Sequence, residues 1–137
     1  MIDIVKFYIQ FNRYKKYTHD ELSNHIAPSI KHGQYKKFTD DKGVFGFVNW
    51  AFLNEEAEEL YKKTGIIKND KWQSGSRLWL YDIVILRNAR IVMSWVYNYF
   101  KDYLQTNQCI NWLRLDENNN VYRISKNKEL PKAIKGF

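Results

Sequence analysis

At 137 residues the chain has length for one hydrophobic core and not for several. Its 45% hydrophobic and 27% charged residues exclude the disordered and collagen-like classes, and a formal charge of +7 favours an acidic partner. The lysines are scattered rather than massed in one basic run, which argues against nucleic acid as that partner. Met1–Lys6 lack the pattern of a secretory signal, and no apolar run is long enough to cross a bilayer. The lone Cys109 has no internal partner, which suits a reducing compartment, the cytoplasm.

Apolar positions Ile4, Val5, Tyr8, Ile9 and Phe11 predict a first helix from Ile2 to about Tyr14. Thr18 and Glu21 have capping-box spacing and open a second, with Leu22, Ile26 and Ile30 inward, a kink or break at Pro28 and a stop at Gly33. Gln34–Thr39 and Val44–Trp50 flank the turn Asp40–Gly43 as a hairpin. Asn54 caps a third helix whose glutamates precede its lysines, and Gly65 ends it. Arg77–Leu86 is the clearest strand, apolar enough to be covered on both faces. A helix from about Ala89 to Gln105 follows, with a broad apolar face that includes Trp95, Tyr99 and Tyr103. Ile110–Leu115 and Val121–Ser125 make a last hairpin around Asp116–Asn120. The expected organisation is one domain over 1–137, with about 126–137 as a loose tail. The order α, α, β, β, α, β, α, β, β indicates an α+β fold, a mixed or antiparallel sheet with helices on its faces, of the N-acetyltransferase type.

Asp82 is the residue that such a strand does not explain. It lies between Tyr81 and Ile83, and period-two alternation puts it on a face with Leu80 and Val84. A carboxylate there must be paired or have a raised pKa, as a structural ion pair or as a functional group. Arg87, Asn88 and Arg90 surround a predicted helix start, where guanidinium groups and free N–H groups suit a phosphate; a solvated basic loop is the plainer alternative. Three histidines and one cysteine show no metal-site spacing. Cys109 has nothing beside it in sequence to activate a nucleophile. His25 and His32 read as surface or half-buried residues.

Three ordered segments resemble the toxin-activating lysine acyltransferases of the hemolysin-activating type. Ile26-Ala27-Pro28-Ser29-Ile30 with Gly33-Gln34-Tyr35 is similar to the family's Leu-Pro-Ala-Ile segment and following Gln-Tyr. Gly46–Leu53, containing Trp50-Ala51, is similar to its Trp-Ala-x-Leu strand. Trp72–Asp82, with Ser74, Gly75, Arg77 and Trp79, resembles its Asp-Trp-x-Ser-Gly-Asp-Arg-x-Trp-x-x-Asp core. The likeness runs over roughly residues 10 to 86. It implies transfer of a fatty acyl group from acyl carrier protein, or from acyl coenzyme A, to an internal lysine of a protoxin-type protein. It also implies a basic enzyme, commonly a homodimer, that meets an acidic carrier protein and holds no bound cofactor.

Asp82 matches the family's catalytic aspartate. The family's histidine position falls on Tyr14, so the resemblance assigns acid–base chemistry to Asp82 with Tyr14 or with His19, five residues on. Tyrosine is a weak base at neutral pH, where histidine is well matched. Arg87, Asn88 and Arg90 would take the donor's phosphopantetheine. Ser76 stands where the family has an acidic residue, and Leu86-Arg87-Asn88 replace its Pro-Phe-Gly. These departures motivate a second reading, a catalytically weak homologue that binds a protein partner; a basic nucleic-acid-binding domain is the third.

Overall fold

Helix α1 (Ile2–Tyr8) is short because its successor residues change the period. The computed structural model describes residues 1–105, 109–115 and 121–127. Past Tyr8 the backbone N–H groups of Phe11, Tyr14 and Tyr17 each bond the carbonyl three residues back, at 3.1, 3.0 and 3.2 Å. Three successive tight turns repeat every three residues and so imitate the apolar spacing of a helix. The first helix expected to reach Tyr14 therefore ends at Tyr8.

Helix α2 (His19–Lys31) opens with both capping-box bonds, Glu21 N–H to Thr18 Oγ1 at 3.1 Å and Thr18 N–H to Glu21 Oε1 at 3.0 Å. Pro28 does not break it. The one carbonyl that proline leaves without an intrahelical donor belongs to Asn24, which is exposed to water. Gly33 follows at φ +66°, a left-handed turn that starts the hairpin. Strands β1 (Tyr35–Asp40) and β2 (Gly43–Leu53) pair antiparallel. Helix α3 (Glu55–Thr64) has Asn54 as its cap and Gly65 in the left-handed conformation at its end. Strand β3 (Arg77–Ile85), helix α4 (Ala89–Leu104), β4 (Ile110–Leu115) and β5 (Val121–Asn127) complete the order. Strand β5 thus runs to Asn127, two residues beyond the strand expected to end at Ser125; the turn at 116–120 and residues 128–137 of the expected tail lie outside the described residues.

The fold is α+β. The sheet runs β1-β2-β3-β4-β5 and is antiparallel except between β3 and β4, whose parallel pairing covers Trp79 with Asn111 and Leu80 with Trp112. On one face, α4 packs Val92, Val96 and Phe100 over Val48, Trp50, Leu78 and Leu80. On the other, α1 and α2 cover Phe47 and Val84, and α3 covers Ala51, Leu53 and Trp79.

The β2–β3 register carries an irregularity that sets the site. Asn49 is opposite Asp82 while the next residue, Trp50, is opposite Leu80, so Tyr81 is the extra residue of a β-bulge. Leu78 and Leu80 face α4, as do Ile83 and Ile85. Trp79 and Val84 pack on the opposite face, and Tyr81 and Asp82 both turn that way. Leu80 and Asp82 therefore do not share a face, as strict alternation predicted. The bulge shifts the phase of the strand between them and delivers two consecutive polar side chains to one side.

Candidate active site

Asp82 stands at the centre of a polar cluster under α1 and α2. Its carboxylate is 10% exposed. Tyr8 Oη donates to Oδ2 at 2.7 Å, His25 Nε2 meets the same oxygen at 2.7 Å, and Tyr14 Oη donates to Oδ1 at 3.4 Å. The Asp82 backbone N–H bonds Asn49 Oδ1 at 2.8 Å. Asn49 Nδ2 in turn donates to Ser29 Oγ at 3.0 Å, and Ser29 Oγ to the Ile26 carbonyl at 2.8 Å. One amide side chain thus ties strand β3 to the helix that carries His25.

Charge in this cluster is held by pairing against burial. Burial pushes Asp82 up, but the charge and hydrogen bond of His25, with the two tyrosine hydroxyls, outweigh it and leave the carboxyl below its ordinary range. Burial likewise pushes His25 down, and Asp82 outweighs it, leaving the imidazole raised. The phenols of Tyr8, Tyr14 and Tyr81 are all raised, first by burial and then by the neighbouring Asp82 charge. They act as neutral donors. On its other side, His25 Nδ1 meets Tyr81 Oη at 3.2 Å.

A cavity of about 330 Å³ opens onto this cluster. Tyr14, Tyr17, Glu21, Leu22 and His25 line one wall; Tyr61, Thr64 and Gly65 from the end of α3 line another, with Tyr81, Asp82 and Leu113 beneath. Conserving the geometry of α3 is the task of a second buried carboxylate. Glu58 accepts from Arg77 Nη1 at 2.7 Å and from Trp79 Nε1 at 2.8 Å. Ser74 Oγ accepts the Asn54 N–H at 3.0 Å, and Gly75 sits against the chain at Leu53 and Asn54. Trp50 packs on the far face between Trp95, Tyr99 and Phe100. Ser74, Gly75, Arg77, Trp79 and Trp50, singled out as motif residues, thus build the frame rather than touch the cavity.

The profile of the HlyC, RTX toxin acyltransferase family matches residues 2–128. The chain belongs to that family. Among characterised members of the RTX toxin acyltransferase family, it is 36% identical to the RTX-II toxin-activating lysine-acyltransferase ApxIIC of Actinobacillus pleuropneumoniae over 62 residues, 44% of this chain and 39% of that protein. It is 30% identical to the leukotoxin-activating lysine-acyltransferase LktC serotype T3 of Mannheimia haemolytica over 83 residues, 60% of this chain and 50% of that protein. It is 34% identical to the protein-lysine myristoyltransferase RtxC of Kingella kingae over 62 residues, 44% and 37% of the two chains. The matched segments span half of these relatives or less.

Set against the residues expected for this RTX toxin acyltransferase family member, the structure brings Asp82 and Tyr14 together and adds a histidine that sequence reading passed over. His19 is the exposed first residue of α2 and does not line the cavity. His25, read as a surface or half-buried residue, is the imidazole on Asp82. Leu22, His25, Ile26 and Ser29 make the helical i, i+3, i+4, i+7 stripe, and that spacing was the available signal. Asn49 and Tyr81 were missed for want of any such pattern, and Tyr8 was read only as part of the first helix's apolar face.

Arg87, Asn88 and Arg90 lie elsewhere. Arg87 is tied to Asp40 by two bonds, Nε–Oδ2 at 3.0 Å and Nη2–Oδ1 at 2.6 Å. Asn88 is a left-handed residue (φ 57°) before α4 with no side-chain cap bond, and Arg90 is exposed. None of the three lines the cavity. Trp95 and Tyr99 stack on each other on the sheet face away from the cavity, and Cys109 is half-buried. Among the described residues no group of three His, Cys, Asp or Glu is placed to hold a metal, and no helix is long and apolar enough to cross a membrane.

Proposed function

We propose that this protein transfers an acyl group from a carrier thioester to the side-chain amine of a protein lysine, with His25 as the base and Asp82 as its partner. The observation that carries this reading is the 2.7 Å contact between His25 Nε2 and Asp82 at the floor of a cavity, in a chain of this family. A lysine amine must lose a proton to attack a thioester carbonyl and expel the thiolate. Neutral His25 accepts that proton, and the Asp82 carboxylate stabilises the imidazolium that results. Asp82 also fixes the tautomer, since a carboxylate on Nε2 requires the proton there and leaves the lone pair on Nδ1. Tyr14, in the family's histidine position, donates to Asp82 instead of acting as base. The imidazole has moved from the turn before α2 onto α2 itself, and it meets the same aspartate.

The donor is acyl carrier protein or acyl coenzyme A, used as a substrate, and the acceptor is a protoxin-type protein. Support for an acidic carrier comes from the net charge of +7 and from exposed Lys15 and Lys16, which separate the cavity residues Tyr14 and Tyr17. We place the reaction in the cytoplasm, where the single cysteine stays reduced. The test is intact-mass detection of transfer from a panel of carrier-protein and coenzyme A thioesters to lysine-bearing acceptor fragments. A mass gain on an acceptor lysine is expected, reduced about 10²- to 10⁴-fold in both His25→Ala and Asp82→Asn with the fold retained. Carrier binding without transfer from any donor would leave a binding module in its place.

A further inference from the structure

We propose that Tyr81 is a catalytic residue of this site: its hydroxyl relays the proton from the attacking amine to His25 Nδ1. The relay rests on the acyl-transfer reading above. With Nε2–H committed to Asp82, the only basic lone pair of neutral His25 is on Nδ1, and Tyr81 Oη already occupies it at 3.2 Å. The rings lie 4.9 Å apart. Tyr81 lines the cavity beside His25, so a lysine amine that enters it comes within reach of this hydroxyl.

Among the described residues nothing else employs that hydroxyl: it bonds only His25, whereas Tyr8 and Tyr14 spend theirs on Asp82. The β-bulge at Tyr81 has an evident consequence, since without it regular alternation would send Tyr81 and Asp82 to opposite faces. An irregularity in the central strand that puts two consecutive functional groups beside one imidazole is a positioning device.

The proton balance is simple. One amine N–H bond breaks as an O–H bond forms at Tyr81 Oη. The original Tyr81 O–H bond breaks as an N–H bond forms at His25 Nδ1. Tyr81 ends unchanged, and its hydrogen bond has reversed from O–H donating to Nδ1 to Nδ1–H donating to Oη. Burial and the adjacent Asp82 raise the Tyr81 phenol, so a free phenolate is not an intermediate and the two transfers are concerted.

The test is Tyr81→Phe, confirmed as folded by its melting temperature and amide spectrum. Side-chain ¹⁵N spectra of His25 should show the Nε2–H tautomer in both proteins, with the Nδ1 resonance shifted in the variant as its hydrogen bond is lost. The kcat for lysine acylation should fall about 10²-fold, the low end for a proton-transfer group, with KM little changed. Rates in mixed H₂O and D₂O should curve with deuterium fraction in the natural protein, where two protons move, and become linear in the variant. An unchanged kcat in Tyr81→Phe, or a linear dependence in both proteins, would overturn the relay and leave the acyltransferase standing. No transfer by the natural protein to any acceptor would instead remove the acyl-transfer reading, and the relay with it.

Discussion

A carboxylate at 10% exposure stays ionised only while its donors stay in place, and Asp82 has three of them on the side chain. The coupling to His25 gives opposite shifts in the two partners, the carboxyl lowered and the imidazole raised. The base must be neutral to accept a proton, so kcat/KM should rise with pH through a midpoint above 6.5, the ordinary imidazole value. Asp82→Asn removes the charge and keeps the burial, and burial alone favours the neutral ring. The His25 midpoint, followed by NMR titration, is then expected below 6.5. A midpoint that does not move would mean that the pair is not coupled. The same shifts enter stability. The raised His25 contributes fully below its unfolded pKa, and that contribution is lost as pH climbs through the folded value. The lowered Asp82 contributes above its unfolded value near 3.8, and its share is lost as pH falls through the folded one. Asp82 was legible in the sequence because an acid in an apolar strand needs a partner. The partner was not, because Tyr14 and His19 are nearer the motif position, and only the packing of α2 on β3 selects His25.

Elements ended by capping chemistry were legible to the residue: Thr18 with Glu21 starts α2, and Asn54 and Gly65 bound α3. What hydrogen-bond register decides was not legible. The end of α1 was hidden by tight turns that keep aromatic residues three apart, and the Tyr81 bulge exists only in relation to β2. The Trp72–Gly75 segment shows how a motif acts through an element. The Trp72 carbonyl accepts from the Phe52 N–H at 2.9 Å and from Gln34 Nε2 at 3.1 Å, and Ser74 holds the Asn54 N–H at the start of α3. Gly75 follows where no side chain fits. A Cβ there would lie 2.5 Å from the Leu53 carbonyl oxygen and 2.6 Å from the backbone of Asn54. The obstacle is backbone and cannot rotate away, so Gly75→Ala is expected to destabilise the fold by about 1–3 kcal/mol. Chemical denaturation measures this, and an unchanged midpoint and slope would show that the loop relaxes freely. Because α3 ends at Thr64 and Gly65 in the cavity wall, the same variant should also raise KM for the acyl donor.

The whole molecule divides its labour between the two faces of the sheet. One face is a packed aromatic layer under α4; the other holds the cavity, roofed by α2 and α3. Two of the basic regions are divided in the same way. Arg87 is neutralised by Asp40 at the β1–β2 turn, whereas exposed Lys15 and Lys16 flank the cavity. A carrier protein that steers by charge should therefore approach over the turn before α2. Exposed charges act through a screening length of about 10 Å at 0.1 M salt and about 3 Å at 1 M. Raising salt across that range should raise KM for a carrier-protein thioester severalfold and leave kcat nearly unchanged, because screening weakens encounter and not the site. Lys15→Glu with Lys16→Glu should raise KM at low salt and flatten the salt dependence. Arg90→Glu, on the other side of the molecule, should do neither. Steady-state kinetics of the three proteins across the salt series decides between the two surfaces: a KM that responds to Arg90 and ignores the lysines would return donor docking to the start of α4 and leave the turn before α2 with no part in it.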